Sequence, residues 1–184
     1  MDFSLPPELQ ELLRRARNLV ETEVYPLEPE FFEKGFNAIE GTLKKVRDKV
    51  KAEGMWLPQI ARQHGGLGLS LLEHGLFSAE IGRSPLGHYA FNCQAPDSGN
   101  MELLIQYANE EQQRKYLEPL LNGDIRSCFG MTEPEYPGSN PVWMGTTAMK
   151  DGDAYILNGK KWWTTGGEGA AFCVVMAVTD PEAP

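Results

Sequence analysis

The chain has 184 residues, and its 17 basic and 26 acidic residues give a formal net charge of −9 at pH 7. This acidic balance argues against nucleic acid as a partner, because phosphate backbones are bound by basic patches. The apolar runs are far shorter than the ~20 residues that a membrane-spanning helix needs, so no span is predicted. Because the first residues resemble neither a secretory signal nor an Arg-rich transit peptide, we expect a cytoplasmic protein.

Cysteine and histidine are sparse and widely spaced. No pair of cysteines has CxxC spacing, and no combination with histidine matches a zinc motif. We therefore predict no metal site and a reducing compartment. The residues concerned are Cys93, Cys128, Cys173, His64, His74 and His88.

The first part of the chain has the apolar period of α-helices. A stripe from Leu9 to Val24 predicts a first helix, capped by Ser4 and ended by Pro26 and Pro29.

Four more helices are predicted from their boundary signals. One runs through 43–50 and ends at Gly54, and one is introduced by the segment 98–100. Two others open at Ser–Glu or Asn–Gln pairs three residues apart, Ser70 with Glu73 and Asn109 with Gln112, which form capping boxes. Residues 1–124 are thus predicted to form an all-α domain with five helices.

From about residue 125 the pattern favours strands. Asp151-Gly152 and Asn158-Gly159 are dipeptides that favour type I′ hairpin turns, in which both central residues have positive φ. They separate β-prone runs and predict an antiparallel β-domain over 125–184, with an incomplete sheet that has an exposed edge. The expected strands are Thr146–Met149, Ala154–Leu157, Lys161–Thr165 and a buried Phe172–Thr179.

The segment 129–140 begins as a strand and breaks at Pro134 into a loop rich in Pro and Gly. Backbone N–H groups in such a loop, with the hydroxyls of Thr132 and Ser139, can hold a diphosphate or a flavin edge without Lys or Arg. An ordinary connecting loop explains the same composition. Neither GxGxxG nor GxxxxGK[ST] is present, so a Rossmann or P-loop site is not supported.

The segment 158–167 contains two adjacent tryptophans. In a strand, Trp162 and Trp163 would point to opposite faces, with Thr165 on the face of Trp163. One indole could then pack in the core while the other forms a flat wall for a planar ligand. Two packed tryptophans without a ligand are the alternative.

Together, the segments 131–140 and 155–165 resemble the acyl-CoA dehydrogenase family, whose pattern is Thr-Glu-Pro, Gly-Ser-Asp and a later Asn-Gly-x-Lys-x-Trp strand. The resemblance covers essentially the whole chain and implies an α+β, multi-domain fold. It consists of the helical domain 1–124 and part of the middle β-domain 125–184, without the C-terminal four-helix domain. The three-residue spacer 135–137 and the segment 91–100 look most like the branch typified by the human members ten and eleven. Asn140 departs from the usual Asp.

The resemblance implies FAD as the cofactor, with Met131 and Thr132 at the pyrimidine side of the ring and Trp163 bordering it. Gly138 and Ser139 would approach the diphosphate, and Ser139 would also meet the acyl-CoA. The full set of residues implied for FAD is Phe129, Met131, Thr132, Gly138, Ser139, Trp163, Thr164 and Thr165.

The implied reaction is acyl-CoA dehydrogenation of the fatty acid β-oxidation type, giving the trans-2-enoyl-CoA. In the family a Glu of the C-terminal domain removes the α-proton; Glu133 is not that base, so no catalytic residue is assigned here. We therefore expect the isolated chain to be inactive. The implied partners are acyl-CoA, an electron-transfer flavoprotein or similar acceptor, and further copies in a homo-oligomer when complete. A eukaryotic source would make the location mitochondrial or peroxisomal.

A second hypothesis is that the chain is a non-enzymatic module derived from a dehydrogenase. It would bind a partner or acyl-CoA and carry out no redox chemistry. Retention of flavin by the purified protein would separate the two hypotheses.

Overall fold

The computed structural model of the protein describes residues 4–137 and 140–182. The chain divides into two compact units, Met1–Ser98 and Gly99–Pro184. Helices come first and strands after, as the sequence predicts, and the fold class is confirmed. The predicted domain boundary at residues 124 and 125 differs from this division and stays a prediction.

The first unit is helical. In the described part of the chain, no helix is long and apolar enough to cross a membrane. The helices are α1 Pro7–Leu19, α2 Glu28–Lys34, α3 Phe36–Ala52, α4 Leu71–Ile81, α5 Gly87–Ala90 and the start of α6 Asp97–Tyr107, with a π turn at Val20–Val24 and 3₁₀ turns at Tyr25–Leu27 and Arg62–His64.

The predicted stop of the first helix at two prolines is wrong. The chain continues from α1 through the π and 3₁₀ turns into α2, which ends at Gly35 with φ of 83°. Pro26 and Pro29 each lie in the first turn of a helical segment, a position at which helices tolerate proline. The residue that precedes α1 is Pro6, so the predicted cap at Ser4 is also wrong.

The boundary signals of three other helices are confirmed, whereas the segment 98–100, expected to introduce a helix, lies inside α6, which begins at Asp97. The Ser70 N–H donates to Glu73 Oε2 at 2.7 Å, and the Glu73 N–H donates to Ser70 Oγ at 3.4 Å. Asn109 and Gln112 exchange the same two bonds at 3.0 and 2.9 Å. Helix α3 ends two residues before Gly54, whose φ is 69°. α5, which carries no cap signal, was not predicted.

The core of the first unit contains a buried cation among its apolar side chains. The Arg47 guanidinium lies 4.8 Å from the centre of the Trp56 ring and 4.2 Å from that of Tyr89. It donates hydrogen bonds to the Tyr89 carbonyl and, at 3.2 Å, to Asn92 Oδ1. The surrounding apolar core includes Leu19, Ile39, Leu43, Met55, Phe77, Ile81 and Phe91.

In its described residues, the second unit combines the end of α6 with short helices and two small sheets. β1 pairs with β4, and β2 pairs with β3. The elements are α7 Glu110–Gln112, a π turn at Gln113–Leu117, α8 Glu118–Asn122, β1 Arg126–Gly130, β2 Thr147–Asp151, β3 Ala154–Asn158 and β4 Ala170–Val175.

The β1–β4 pair is parallel, whereas an antiparallel sheet was expected. Its register runs from Ser127 opposite Phe172 to Gly130 opposite Val175. The long connection 131–169 explains this direction, because parallel neighbours require a crossover rather than a tight turn. β4 was expected to be buried, but its residues are half-buried or exposed in this structure.

The first predicted hairpin forms with a different turn. β2 and β3 are antiparallel, and Asp151 pairs with Ala154, so the two loop residues are Gly152 and Asp153. Gly152 has φ of 59°, while neither Asp151 nor Asp153 has positive φ. A type I′ turn, which needs positive φ at both central residues, is therefore excluded.

The second predicted hairpin and the strand Lys161–Thr165 are wrong. β3 ends at Asn158, and residues 161–164 are irregular. Gly159 is needed for space rather than for a turn, because a Cβ at this position would lie 2.2 Å from Thr146 Oγ1. Trp163 has φ of 53°, which breaks the extended path that a strand requires.

Candidate flavin-facing site

The two segments singled out in the sequence lie side by side in the second unit. The Trp162 N–H donates to the Thr132 carbonyl at 3.1 Å, and Thr132 Oγ1 donates to the Trp162 carbonyl at 2.7 Å. These reciprocal bonds join the residues that follow β1 to the irregular segment that precedes β4. Separate local structures are predicted for these segments, and the fold brings them together.

A buried carboxylate connects these segments to a third. The Glu133 side chain, 4% exposed, accepts hydrogen bonds from the Gly145 N–H at 2.7 Å and the Thr146 N–H at 2.9 Å. Lys161 Nζ donates to Glu133 Oε1 at 2.8 Å and to the Met131 carbonyl at 2.9 Å. We call these five residues, Met131, Glu133, Gly145, Thr146 and Lys161, the clasp.

Two opposing effects set the charge of Glu133. Burial alone would raise the pKa of the carboxyl, but hydrogen bonds from Lys161, Thr146 and Gly145 outweigh it and lower the pKa to about 2. The group is therefore ionised at neutral pH and is a poor proton acceptor there. Its contacts are those of a structural anchor.

The residues implied for FAD fall into three groups. Phe129 lies in β1, and Met131 and Thr132 follow it, all half-buried. Trp163 and Thr165 are exposed, with half-buried Thr164 between them. Gly138 and Ser139 lie outside the described residues.

The tryptophan pair departs from the expected arrangement. Trp162 is 43% exposed and Trp163 is 80% exposed, so neither indole packs in the core. Their ring centres are 5.6 Å apart with an interplanar angle of 46°. Because Trp163 has positive φ, the two side chains do not alternate as they would in a strand and instead contact each other.

The exposed Trp162–Thr165 segment carries aromatic rings and hydroxyls and no charged side chain. It presents the Trp163 indole beside the hydroxyls of Thr132, Thr164 and Thr165, while the Lys161 ammonium is held by Glu133. The hydrogen of the Thr132 hydroxyl is bonded to the Trp162 carbonyl, and its oxygen can still accept a bond. An aromatic plane with neutral hydrogen-bonding groups fits one side of a flavin ring.

Sequence reasoning missed Lys161 and Gly145, and it misread Gly159. A lysine directly before two exposed tryptophans gives no sign that its ammonium is buried. The available signal was the pair of opposite charges, Glu133 and Lys161, one in each segment that carries the family resemblance.

A helical unit followed by a small β-unit that carries a neutral aromatic wall has the layout of the front part of a flavin-dependent dehydrogenase. The model of the acyl-CoA dehydrogenase N-terminal domain matches residues 6–124, and that of the middle domain matches residues 128–184. The chain belongs to the acyl-CoA dehydrogenase family.

Individual relatives agree with this assignment. The chain is 37% identical to acyl-CoA dehydrogenase family member 10 of Mus musculus over 98% of its length, and 40% identical to family member 11 of Gallus gallus over 85%. It covers 18% and 21% of those proteins, or about a fifth of their length. The expected resemblance to members ten and eleven is confirmed.

A solved structure supports the fold. A putative acyl-CoA dehydrogenase from Mycobacterium abscessus superposes with a TM-score of 0.89 at 36% identity, over 98% of this chain and 48% of that one. The chain therefore spans about half of this relative. Among residues 4–137 and 140–182, no three His, Cys, Asp or Glu side chains are grouped to hold a metal ion.

Proposed function

We propose that this chain is the N-terminal portion of an FAD-dependent acyl-CoA dehydrogenase that converts an acyl-CoA to the trans-2-enoyl-CoA in fatty acid β-oxidation. The observation that carries the proposal is the reciprocal hydrogen bonding of Thr132 with Trp162. It brings the two segments of the family pattern together and leaves Trp163 exposed beside them. In this proposal, residues 1–124 are the helical domain and 125–184 are part of the middle domain.

The residues of the chain then bind and orient the cofactor. Trp163 covers part of one side of the ring, with Thr164 and Thr165 beside it, and Met131 and Thr132 lie at the pyrimidine side. Phe129 supports this wall from β1, while Gly138 and Ser139 approach the diphosphate and Ser139 also meets the acyl-CoA. When bound, FAD accepts the hydride from the β-carbon of the substrate.

The proton chemistry belongs to another part of the complete protein. We assign removal of the α-proton to a base outside this chain, as the family resemblance implies. Glu133, with its pKa lowered to about 2, is a weak base held as a structural anchor. The isolated chain is accordingly inactive in this proposal. The complete protein would be a homo-oligomer that transfers electrons to an electron-transfer flavoprotein or a similar acceptor.

A chimera with the Mycobacterium abscessus relative tests the proposal. The chain replaces the matching 48% of that protein, and the flavin content of the purified chimera is measured by visible absorbance. We expect bound flavin that is bleached by an acyl-CoA. Trp163→Ala should lower the flavin content, whereas Trp143→Ala, which alters an exposed tryptophan outside the two segments, should not.

The same experiment can contradict the proposal. A folded chimera that binds no flavin, beside a parent protein that does, would favour the non-enzymatic binding module. Bound flavin that acyl-CoA does not reduce would support the cofactor assignment and reject the proposed substrate.

A further inference from the structure

We propose that Glu133 and Lys161 are positioning residues, whose buried ion pair fixes the Trp162–Thr165 segment as one wall of the flavin site. The inference rests on the proposed function for the identity of the ligand. Its structural part, that the clasp determines the conformation of the tryptophan pair, stands independently of any ligand.

The Trp162–Thr165 segment needs contacts with other parts of the chain to keep its conformation. Residues 161–164 belong to no strand, so no ladder of hydrogen bonds fixes their path. Trp163 is also held at φ of 53°, a region that is unfavourable for a residue with a Cβ. Such a conformation persists only where surrounding contacts determine it.

The clasp supplies these contacts at the residue where the segment begins. Lys161 bonds to both the Glu133 carboxylate and the Met131 carbonyl, which fixes its side chain against the chain after β1. The two Thr132–Trp162 bonds then continue this attachment by one residue. Four hydrogen bonds therefore lie immediately before Trp163.

The burial of the pair makes its loss costly. The Lys161 and Glu133 side chains are 13% and 4% exposed, whereas the Arg17 side chain in the Arg17–Glu80 pair is 51% exposed. Removing one partner of a buried pair leaves the other charge without compensation, which is strongly destabilising. Neutralising Lys161 should therefore release the segment rather than leave it in place.

Close packing also fixes the third segment of the clasp, which contains Gly145 and Thr146. Glu133 holds the backbone N–H groups of Gly145 and Thr146, and Gly159 packs against Thr146 with no room for a Cβ. The chain that leads from β3 to Lys161 is thus held against Thr146, which bonds to the same carboxylate. Both ends of the 159–162 stretch are therefore fixed before the chain reaches Trp163.

Circular dichroism of the 184-residue chain tests the structural part. Two indoles 5.6 Å apart give an exciton signal, which Trp163→Phe identifies by abolishing it. We expect Lys161→Met to remove this signal while the helical signal is retained. Lys161→Arg, which keeps the positive charge, should retain most of the exciton signal. Lys160→Met is the matched control, because Lys160 is the exposed neighbour, and it should change nothing.

A second variant covers the possibility that Lys161→Met does not fold. Glu133→Gln keeps the shape and one acceptor oxygen but removes the charge, and it should weaken the exciton signal. A full signal in folded Lys161→Met or Glu133→Gln would overturn the proposal.

The chimera tests the functional part. Lys161→Met should raise the dissociation constant for FAD at least ~10-fold, equivalent to about 1.4 kcal/mol, whereas Lys160→Met should leave it unchanged. An unchanged flavin affinity after loss of the exciton signal would overturn the positioning role. If the unsubstituted chimera binds no flavin, the proposed function fails, and the circular dichroism comparison still decides whether the clasp holds the segment.

Discussion

Arg47 shows how a single side chain can organise the core of the helical unit. Its guanidinium lies between the rings of Trp56 and Tyr89 and bonds to the Asn92 side chain. Asn92 has φ of 56°, so the bond also supports an unfavourable backbone conformation. A planar, forked cation is suited to stacking and bonding at once, which an ammonium cannot match.

We expect Arg47→Met to destabilise the chain by about 2–4 kcal/mol, because it removes hydrogen bonds from a charged donor and two ring contacts. Arg47→Lys should recover less than half of the loss. Urea unfolding followed by helical circular dichroism measures both. Arg14→Met is the control, since Arg14 forms an exposed ion pair with Glu11 and should cost about 0.5 kcal/mol or less. Equal stability of the Arg47 variants and the native chain would reject this role.

The charge of Glu133 predicts a dependence of stability on pH. Its folded-state pKa is about 2, below the value of about 4.3 expected when unfolded. The stability that the Glu133 carboxylate contributes is therefore complete above its unfolded-state pKa and is lost as the pH falls toward its folded-state pKa. Between about pH 5 and 2, the unfolding free energy of the native chain should fall more steeply than that of Glu133→Gln.

Urea titrations followed by tryptophan fluorescence at several pH values measure this difference. Glu135→Gln, at an exposed site, should retain the native slope. Parallel pH profiles for the native chain and Glu133→Gln would show that the carboxylate contributes no acid-sensitive stability.

At the scale of elements, local signals were sufficient where neighbours in sequence complete the interaction. Ser70 and Glu73 satisfy each other within one turn, so their capping box was predictable. The backbone conformation at Trp163 was not predictable, because it depends on a bond between Lys161 and Glu133, which are 28 positions apart in the chain. Gly159 was misread for the same reason, since its requirement for space comes from Thr146 rather than from its own turn propensity.

Two glycines of the helical unit should respond in opposite ways to alanine. Gly41 lies inside α3 with nothing within 4 Å of an added Cβ, so Gly41→Ala should stabilise by about 0.5–1 kcal/mol. At Gly87 an added Cβ would lie 1.8 Å from the Ile81 carbonyl oxygen, so Gly87→Ala should destabilise by at least ~1–3 kcal/mol. Thermal unfolding compares them, and a stabilised Gly87→Ala variant would contradict the packing described here.

At the scale of the whole molecule, the chain supplies one wall of the cofactor site that we propose. Trp163 is 80% exposed, so a planar ligand bound there would keep much of its surface in water. Such a ligand bears the entropic cost of binding with less burial to offset it, and a deficit of about 4 kcal/mol weakens affinity about a thousandfold. We expect flavin fluorescence titration of the 184-residue chain to show weak FAD binding or none. A submicromolar dissociation constant that Trp163→Ala abolishes would show a more complete site.

The exposure of β3 also affects how the chain behaves at high concentration. Tyr155, Ile156 and Leu157 are consecutive and each more than half exposed, so both faces of the strand present apolar surface. Within the described residues β3 pairs with β2 alone, which leaves its other edge open to strand addition and aggregation. Sedimentation velocity should detect self-association that rises with concentration and decreases in Ile156→Lys. Leu71→Lys places the same charge at an exposed helical position and should not change the self-association. The exposed strand β3 therefore limits the solubility of the chain, even though its net charge of −9 favours repulsion between copies.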